Sequence, residues 1–239
     1  MTGTGPTPMA RAGPRKAYVR ERVSAPRVEI MELMKGAHVI ESYATTTLLI
    51  DDRLVLIDTS ADADAGKVMD YLAKVKVKPS DLSSIFITHT HPDHVGGLAS
   101  IKKNSPARVA AHRIEADFIS RKKTWDGPPG PQRHTPTPVD VSLDDGQIHD
   151  GLRVIFTPGH TRGSMSLLDE TRSLLIAGDA ANNESGLRPM DDRYNIDPKQ
   201  HRQSIKKLAT LHFDNAIFGH GEPIKGDASA KFADLAKRV

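Results

Sequence analysis

The chain has 239 residues, of which 38% are hydrophobic and 26% charged, and no apolar run approaches the ~20 residues that span a bilayer, so it reads as one soluble globular domain. Cysteine is absent, which excludes disulfides and thiolate ligands and leaves nitrogen and oxygen donors for any metal site. The sequence pI of about 9.0 belongs to a tail: Arg11, Arg15, Lys16, Arg20 and Arg22 against Glu21 give residues 1–26 a charge of +4, and the rest of a chain totalling +3 carries −1.

Residues 1–26 are rich in Gly and Pro without periodicity and are expected to form a disordered basic tail, with an arm for an anionic partner or a targeting segment as alternatives. No apolar signal-peptide core precedes the first strand pattern, which predicts a cytoplasmic location. A catalytic domain is expected over 27–239. It opens with three runs, VEIMELM from Val28, HVIESYATTTLLID from His38 and RLVLIDT from Arg53, that read as an antiparallel meander turning at Asp51 and Asp52. Val68, Tyr71, Leu72 and Val75 then fall at helical spacing over 65–75, and Pro79 closes that helix. The strand SSIFITH delivers His89 at its end, and Gly96 and Gly97 precede a helix from Leu98.

The second half repeats this grammar. Strands are expected at RVAA, PVDVSL, LRVIFTP, SMSLLD, SLLIAGD and NAIFGH, and helices near 112–123, 198–210 and 228–238. Between Trp125 and Pro138 lies GPPGPQRHTPT, too long for a plain connector and expected to wall the substrate entrance. Meanders alternating with helices, twice over, imply an α/β fold in which two mixed β-sheets pack together with helices outside, an αββα sandwich.

The chemistry concentrates in Thr88-His89-Thr90-His91-Pro92-Asp93-His94. Residues i and i+2 of an extended chain face one side, so His89 and His91 can reach one ion, while the bend at Pro92 lets Asp93 and His94 address a second. A solitary histidine would read as a loop residue. Here His160 follows LRVIFTPG, Asp179 follows SLLIAG and His220 follows NAIFG, so three more ligand types stand directly after apolar strands ending in Gly. Strand ends are rigid, and Gly permits sharp turns and close approach, which is how sites are built at one rim.

This pattern resembles the metallo-β-lactamase superfamily, whose signature is His-x-His-x-Asp-His followed by a His, an Asp and a His. The resemblance covers roughly 28–225 and implies the αββα sandwich. It also implies a binuclear site: His89, His91 and His160 on the first metal, Asp93, His94 and His220 on the second, and Asp179 and a hydroxide bridging them. Asp93, His94 and Asp179 are the candidate catalytic residues. The ligand set suits two divalent ions, zinc first, with iron or manganese as alternatives. Asp58 could be a turn-capping Asp, but the resemblance favours a partner that orients a ligand His. Thr161, Arg162 and Ser164 follow His160 as pocket-lining candidates, although loop polarity alone accounts for them, and His134 is a candidate substrate contact. His38, His112, His149, His201 and His212 fit no ligand pattern and read as surface or half-buried residues.

Metal-bound water ionises near pH ~7 instead of ~15.7, a gain of roughly 12 kcal/mol toward the nucleophile, so such a site implies hydrolysis. Lactamases with a thiolate ligand are excluded, because Asp179 stands where their Cys would be. Acyl-homoserine lactonases commonly place a Tyr three residues after the bridging Asp; Asn182 stands there, and Tyr194 is a candidate replacement from another loop. Glyoxalase II enzymes carry an extra helical region, for which little chain remains after His220. Persulfide dioxygenases use one iron and fewer ligands. The tRNA-processing nucleases need a phosphate-tracking surface that residues 27–239 do not show. The expectation is therefore a small-molecule hydrolase of ester, lactone or thioester bonds, β-lactams included, without membrane association. The alternatives are a nucleic-acid phosphodiesterase and an iron-dependent redox enzyme of sulfur or oxygen chemistry.

Overall fold

The computed structural model describes residues 31–239. The expected tail over 1–26 and the start of the strand pattern at Val28 lie outside the described residues.

The meander forms as β1 (Met31–Met34), β2 (Ala37–Ile40), β3 (Thr46–Ile50) and β4 (Leu54–Ile57). A bend over 41–45 breaks the run expected from His38 into two strands. The chain then crosses through α1 (Gly66–Lys74) to β5 (Ser84–Ile87). It continues through α2 (Pro92–Val95) and α3 (Leu98–Lys103) to β6 (Arg108–His112), then through α4 (Arg113–Ile119) and the Pro/Gly loop to β7 (Val141–Leu143). From β4 to β7 the pairing is parallel, because each crossover carries helix on the outer face.

The second sheet comprises β8 (Ile148–His149), β9 (Leu152–Phe156), β10 (Met165–Asp169), β11 (Leu174–Ile176), β12 (Asn215–Ile217) and β13 (Ile224–Lys225), ordered β13-β12-β11-β10-β9-β8. Its pairs are antiparallel except β11 with β12, so β9, β11 and β12 run the same way. α5 (Pro198–Leu208) begins with Pro198 at its first position and the Asp197 carboxylate accepting from Gln200 N at 2.9 Å; α6 (Ala228–Ala236) ends the fold.

Period-2 alternation explains why the strands read as continuous apolar runs: both faces are buried. In β4 and β5, Leu56, Ile85 and Ile87 point to α1 and α3, where they meet Val68, Leu72, Leu98 and Ile101. Val55, Ile57 and Phe86 point the other way and meet Val154, Leu167 and Ile176 between the sheets. Leu168, Leu175 and Ala216 pack outward on Ile205, Leu208, Phe213 and Phe232 of the second helical layer. Three apolar layers between four structural ones are the expected αββα sandwich.

The two-residue edge strands β8 and β13 are not among the expected ones, since two residues carry no periodicity. The helix expected over 112–123 is shorter, ending as α4 before Arg121, whose φ of 55° is left-handed and breaks the helical run. No helix among the described residues is long and apolar enough to cross a membrane.

Candidate metal centre

The seven sequence candidates come together at one end of the sandwich. Asp58 follows β4 and His89 follows β5 in the first sheet; His160, Asp179 and His220 follow β9, β11 and β12 in the second. Pro92 occupies the first position of α2, so the bend after His91 becomes a helix start that turns Asp93 and His94 inward. One donor atom from each of His89, His91, His160 and Asp179 lies within 4.8 Å of the others, and the same holds for Asp93, His94 and His220. Asp179 stands between the groups: its Oδ2 is 3.1 Å from His160 Nε2 and 3.4 Å from His220 Nε2, and its Oδ1 is 3.4 Å from His94 Nε2. Gly219 permits this approach, because a Cβ there would strike Asp179 Oδ1 and come within 2.8 Å of His94 Cε1.

Buried polar atoms are ordinarily paired. Here His89 Nε2, His94 Nε2, His160 Nε2 and Asp179 Oδ1 are buried with no hydrogen-bond partner, all aimed into one small volume. Imidazole nitrogens and carboxylate oxygens orphaned together are the donor set a divalent cation requires, and the residues fit such an ion. The second group is the more open: the side chains of Asp93 and His220 retain 18% and 14% of their exposure, against 3% for Asp179. Solvent therefore reaches the cluster from the Asp93 and His220 side.

The backs of four of the five imidazoles are held, which selects the nitrogen that faces inward. His94 Nδ1 pairs with Asp58 Oδ2 at 2.7 Å, His160 Nδ1 with Asn195 Oδ1 at 3.0 Å, and His89 Nδ1 with Thr88 Oγ1 at 3.1 Å. His91 is reversed: its Nε2 donates to the Pro128 carbonyl at 2.9 Å, leaving Nδ1 for the cluster. Asp58 also accepts from Thr88 N at 2.8 Å and Thr88 Oγ1 at 2.7 Å, so one carboxylate supports His94 directly and His89 through Thr88. Asp58→Asn places an amide N–H against donors it cannot accept from. Metal affinity should fall ~10–100-fold, as expected when a ligand's orienting partner is lost. Competition against a chromophoric chelator reads this directly, and parental affinity would reduce Asp58 to a turn residue.

Electrostatics divides the cluster. Burial, reinforced by neighbouring imidazoles, holds His89 well below the usual histidine range and brings His91 down to about 3. Burial also opposes charge on His94 and His220, but Asp179, Asp58 and Asp93 overcome it at His94, raised well above its usual value, and Asp179 and Asp93 overcome it at His220, raised to about 10. Burial would raise Asp179, yet His94 and His220 carry it well below the ordinary carboxylate range. The carboxylates thus draw positive charge into the site, the sign of field a metal cation would answer.

Some residues stand elsewhere than expected. The Pro/Gly loop braces His91, with Pro128 O also accepting from Trp125 Nε1 at 3.2 Å and the Trp125 ring edge-on to His91 at 5.5 Å. His134 is buried and bonded through Nε2 to Ile119 O at 2.9 Å, tying that loop to α4. Asn182 bonds within its own loop, where its Oδ1 accepts from Glu184 N at 2.9 Å. Tyr194 is exposed beneath Arg193, and its neighbour Asn195 is the residue that reaches the site. His38, His112 and His201 are buried rather than superficial. Burial holds all three neutral-leaning, with His201 brought down to about 4. His38 is bonded to Tyr71 at 2.7 Å, His112 is stacked on Phe156, and His201 accepts from Met190 N at 3.3 Å. Sequence reasoning missed Asn195, Trp125 and Glu115; none carries a motif, and each reaches the site from a separate loop or helix.

Likeness to known proteins bears on the family and the fold. The model of the metallo-beta-lactamase superfamily matches residues 40–220. The chain is 26% identical to the probable metallo-hydrolase YflN of Bacillus subtilis, over 87% of this chain and 92% of that protein. It is 31% identical to a hydroxyacylglutathione hydrolase of Ectopseudomonas mendocina over 65% of this chain, spanning 58% of that protein's length. A metallo-beta-lactamase from Cronobacter sakazakii superposes with a TM-score of 0.73 at 24% identity, over 88% of this chain and 92% of that one, a likeness of fold. With its motif, its two-sheet architecture and a family match across most of its length, this chain belongs to the metallo-beta-lactamase superfamily and is a metal-dependent hydrolase.

Proposed function

We propose that the chain hydrolyses ester, lactone or thioester bonds of small molecules at a centre of two divalent ions. His89, His91 and His160 would hold the first, Asp93, His94 and His220 the second, and Asp179 both. The observation that carries this reading is the division of seven donors into two groups with one carboxylate between them. Zinc suits the nitrogen and oxygen donors, with iron or manganese as substitutes. Such ions supply Lewis acidity, making hydroxide available near neutral pH and polarising the scissile carbonyl.

The chain's own residues do the rest. Asp58 fixes His94, Asn195 fixes His160 and Pro128 fixes His91, so the donors are preorganised. Asp93, half-buried at the open side and 3.3 Å from His220, is placed to orient the attacking water and take its proton. The loop from Trp125 to Pro138 braces the first group through Pro128 behind His91. Support for acyl substrates comes from the hydroxyacylglutathione hydrolase relatives, since the compound in their name is a thioester. We place the enzyme in the cytoplasm, with residues 1–26 outside the catalytic domain.

Elemental analysis after metal-replete purification should give about two ions per chain. A panel holding an aryl ester, a γ-lactone, an acyl thioester, a β-lactam and an aryl phosphodiester should show turnover concentrated in the acyl compounds. A stoichiometry near one under saturating zinc, manganese and iron rejects the binuclear centre. Turnover confined to the phosphodiester transfers the site to nucleic-acid chemistry.

A further inference from the structure

Glu115 lies in the first turn of α4, where a carboxylate ordinarily faces solvent and complements the helix dipole. It is instead wholly buried. Its Oε2 accepts from Thr90 N at 2.8 Å, the amide between His89 and His91. Its Oε1 accepts from Thr161 Oγ1 at 2.7 Å and from Gly163 N at 2.8 Å, both in the loop that begins with His160. A Cβ at Gly163 would meet Glu115 N, Cγ and Oε1 at 2.9 Å, so the loop reaches the carboxylate only because position 163 has no side chain.

These two loops leave different sheets, β5 in one and β9 in the other, and among the described residues no strand pairing joins the sheets. Besides the backbone bond from Met165 N to Thr88 O at 3.1 Å, their relative position depends on what spans the gap. We propose that Glu115 is a positioning residue for the first metal group: one buried carboxylate clasps the His89–His91 segment to the His160 loop and sets the separation of the three imidazoles. The inference rests on the metal roles assigned above. The clasp needs an acceptor with two oxygens. Gln offers one oxygen and an N–H pair, which would face a donor and leave it buried without a partner. Glu115 makes no hydrogen bond to Asp93, His94 or His220, so its loss should fall on one ion and not the other.

The test uses full-length protein stripped of metal and titrated with Co²⁺, following both the visible spectrum and chelator competition. His91→Ala and His220→Ala supply the reference spectra that identify each ion. Glu115→Gln should weaken the His91-side ion ~10–100-fold and alter its cobalt spectrum. The other ion should keep its parental affinity, and any fall in the melting temperature of the metal-free protein reads the buried donor that Gln leaves unpaired. Thr161→Val, which removes one of the three donors, should shift the same ion by less and serves in place of Glu115→Gln should that variant not fold. Parental affinity in both variants, or equal weakening of both ions with a lowered metal-free melting temperature, overturns the clasp. A parent protein that takes up no metal at these histidines fails differently: it removes the metal reading itself, and the clasp with it.

Discussion

Asp179→Ala is expected to be the most damaging single change in the molecule, removing both ions and lowering kcat/KM by at least ~100-fold. The lower bound comes from the ~10–100-fold losses that follow when only the partner of a metal ligand is removed. Asp179 is itself placed as a donor, with one oxygen 3.1 Å from His160 Nε2 and the other 3.4 Å from His94 Nε2. Two dications ~4 Å apart repel on the order of 10 kcal/mol even at a protein-like effective dielectric, and a carboxylate between them is the charge that offsets this. Ala removes that charge and opens a void at a site where Gly219 is already pressed against the carboxylate. Metal content and kcat/KM on one ester decide the matter. A variant that keeps both ions and near-parent activity would require the donor assignment to be redrawn around other residues.

His91→Ala and His220→Ala should separate the two groups. His91 is buried with the first group, and its loss should abolish turnover of every substrate, again by at least ~100-fold. The Pro128 carbonyl behind it keeps the Trp125 N–H at 3.2 Å, so the substitution leaves no orphaned acceptor and reports on metal binding rather than folding. His220 belongs to the outer, more open group. Its replacement should bring the stoichiometry down to about one ion per chain and leave the first ion bound. Equal loss of both ions from the two variants would mean that the groups do not bind independently. Measured side by side, metal content and the rates on an ester and a lactone make the comparison.

Much of this was legible from residues alone. Ligand types standing directly after apolar runs identified the rim of the site, because a strand buried on both faces reads as an unbroken apolar segment and its end is unmistakable. His89, His91, Asp93 and His94 were legible as a unit because they fall within six consecutive positions of the chain, and local geometry alone keeps them together. The supporting shell was not legible. Asn195 had no reason to stand out beside the more conspicuous Tyr194, and His134 drew attention by its type although its partner is a backbone carbonyl of α4. Glu115 looked like any acidic residue at a helix start.

What the sequence determined by itself is the set of donors, the strand that presents each, and the alternation that forces two sheets between helical layers, since these follow from side-chain chemistry and from periods of 2.0 and 3.6. What only the tertiary structure decided is how the donor side chains group in space, that the Asp179 carboxylate lies between the two groups, that His91 faces inward with the opposite nitrogen from His89, His94 and His160, and that one buried carboxylate spans the two loops. Those are relations between segments tens of residues apart on two sheets. They are fixed by packing and by hydrogen bonds across the sandwich, and no local pattern in the chain encodes them.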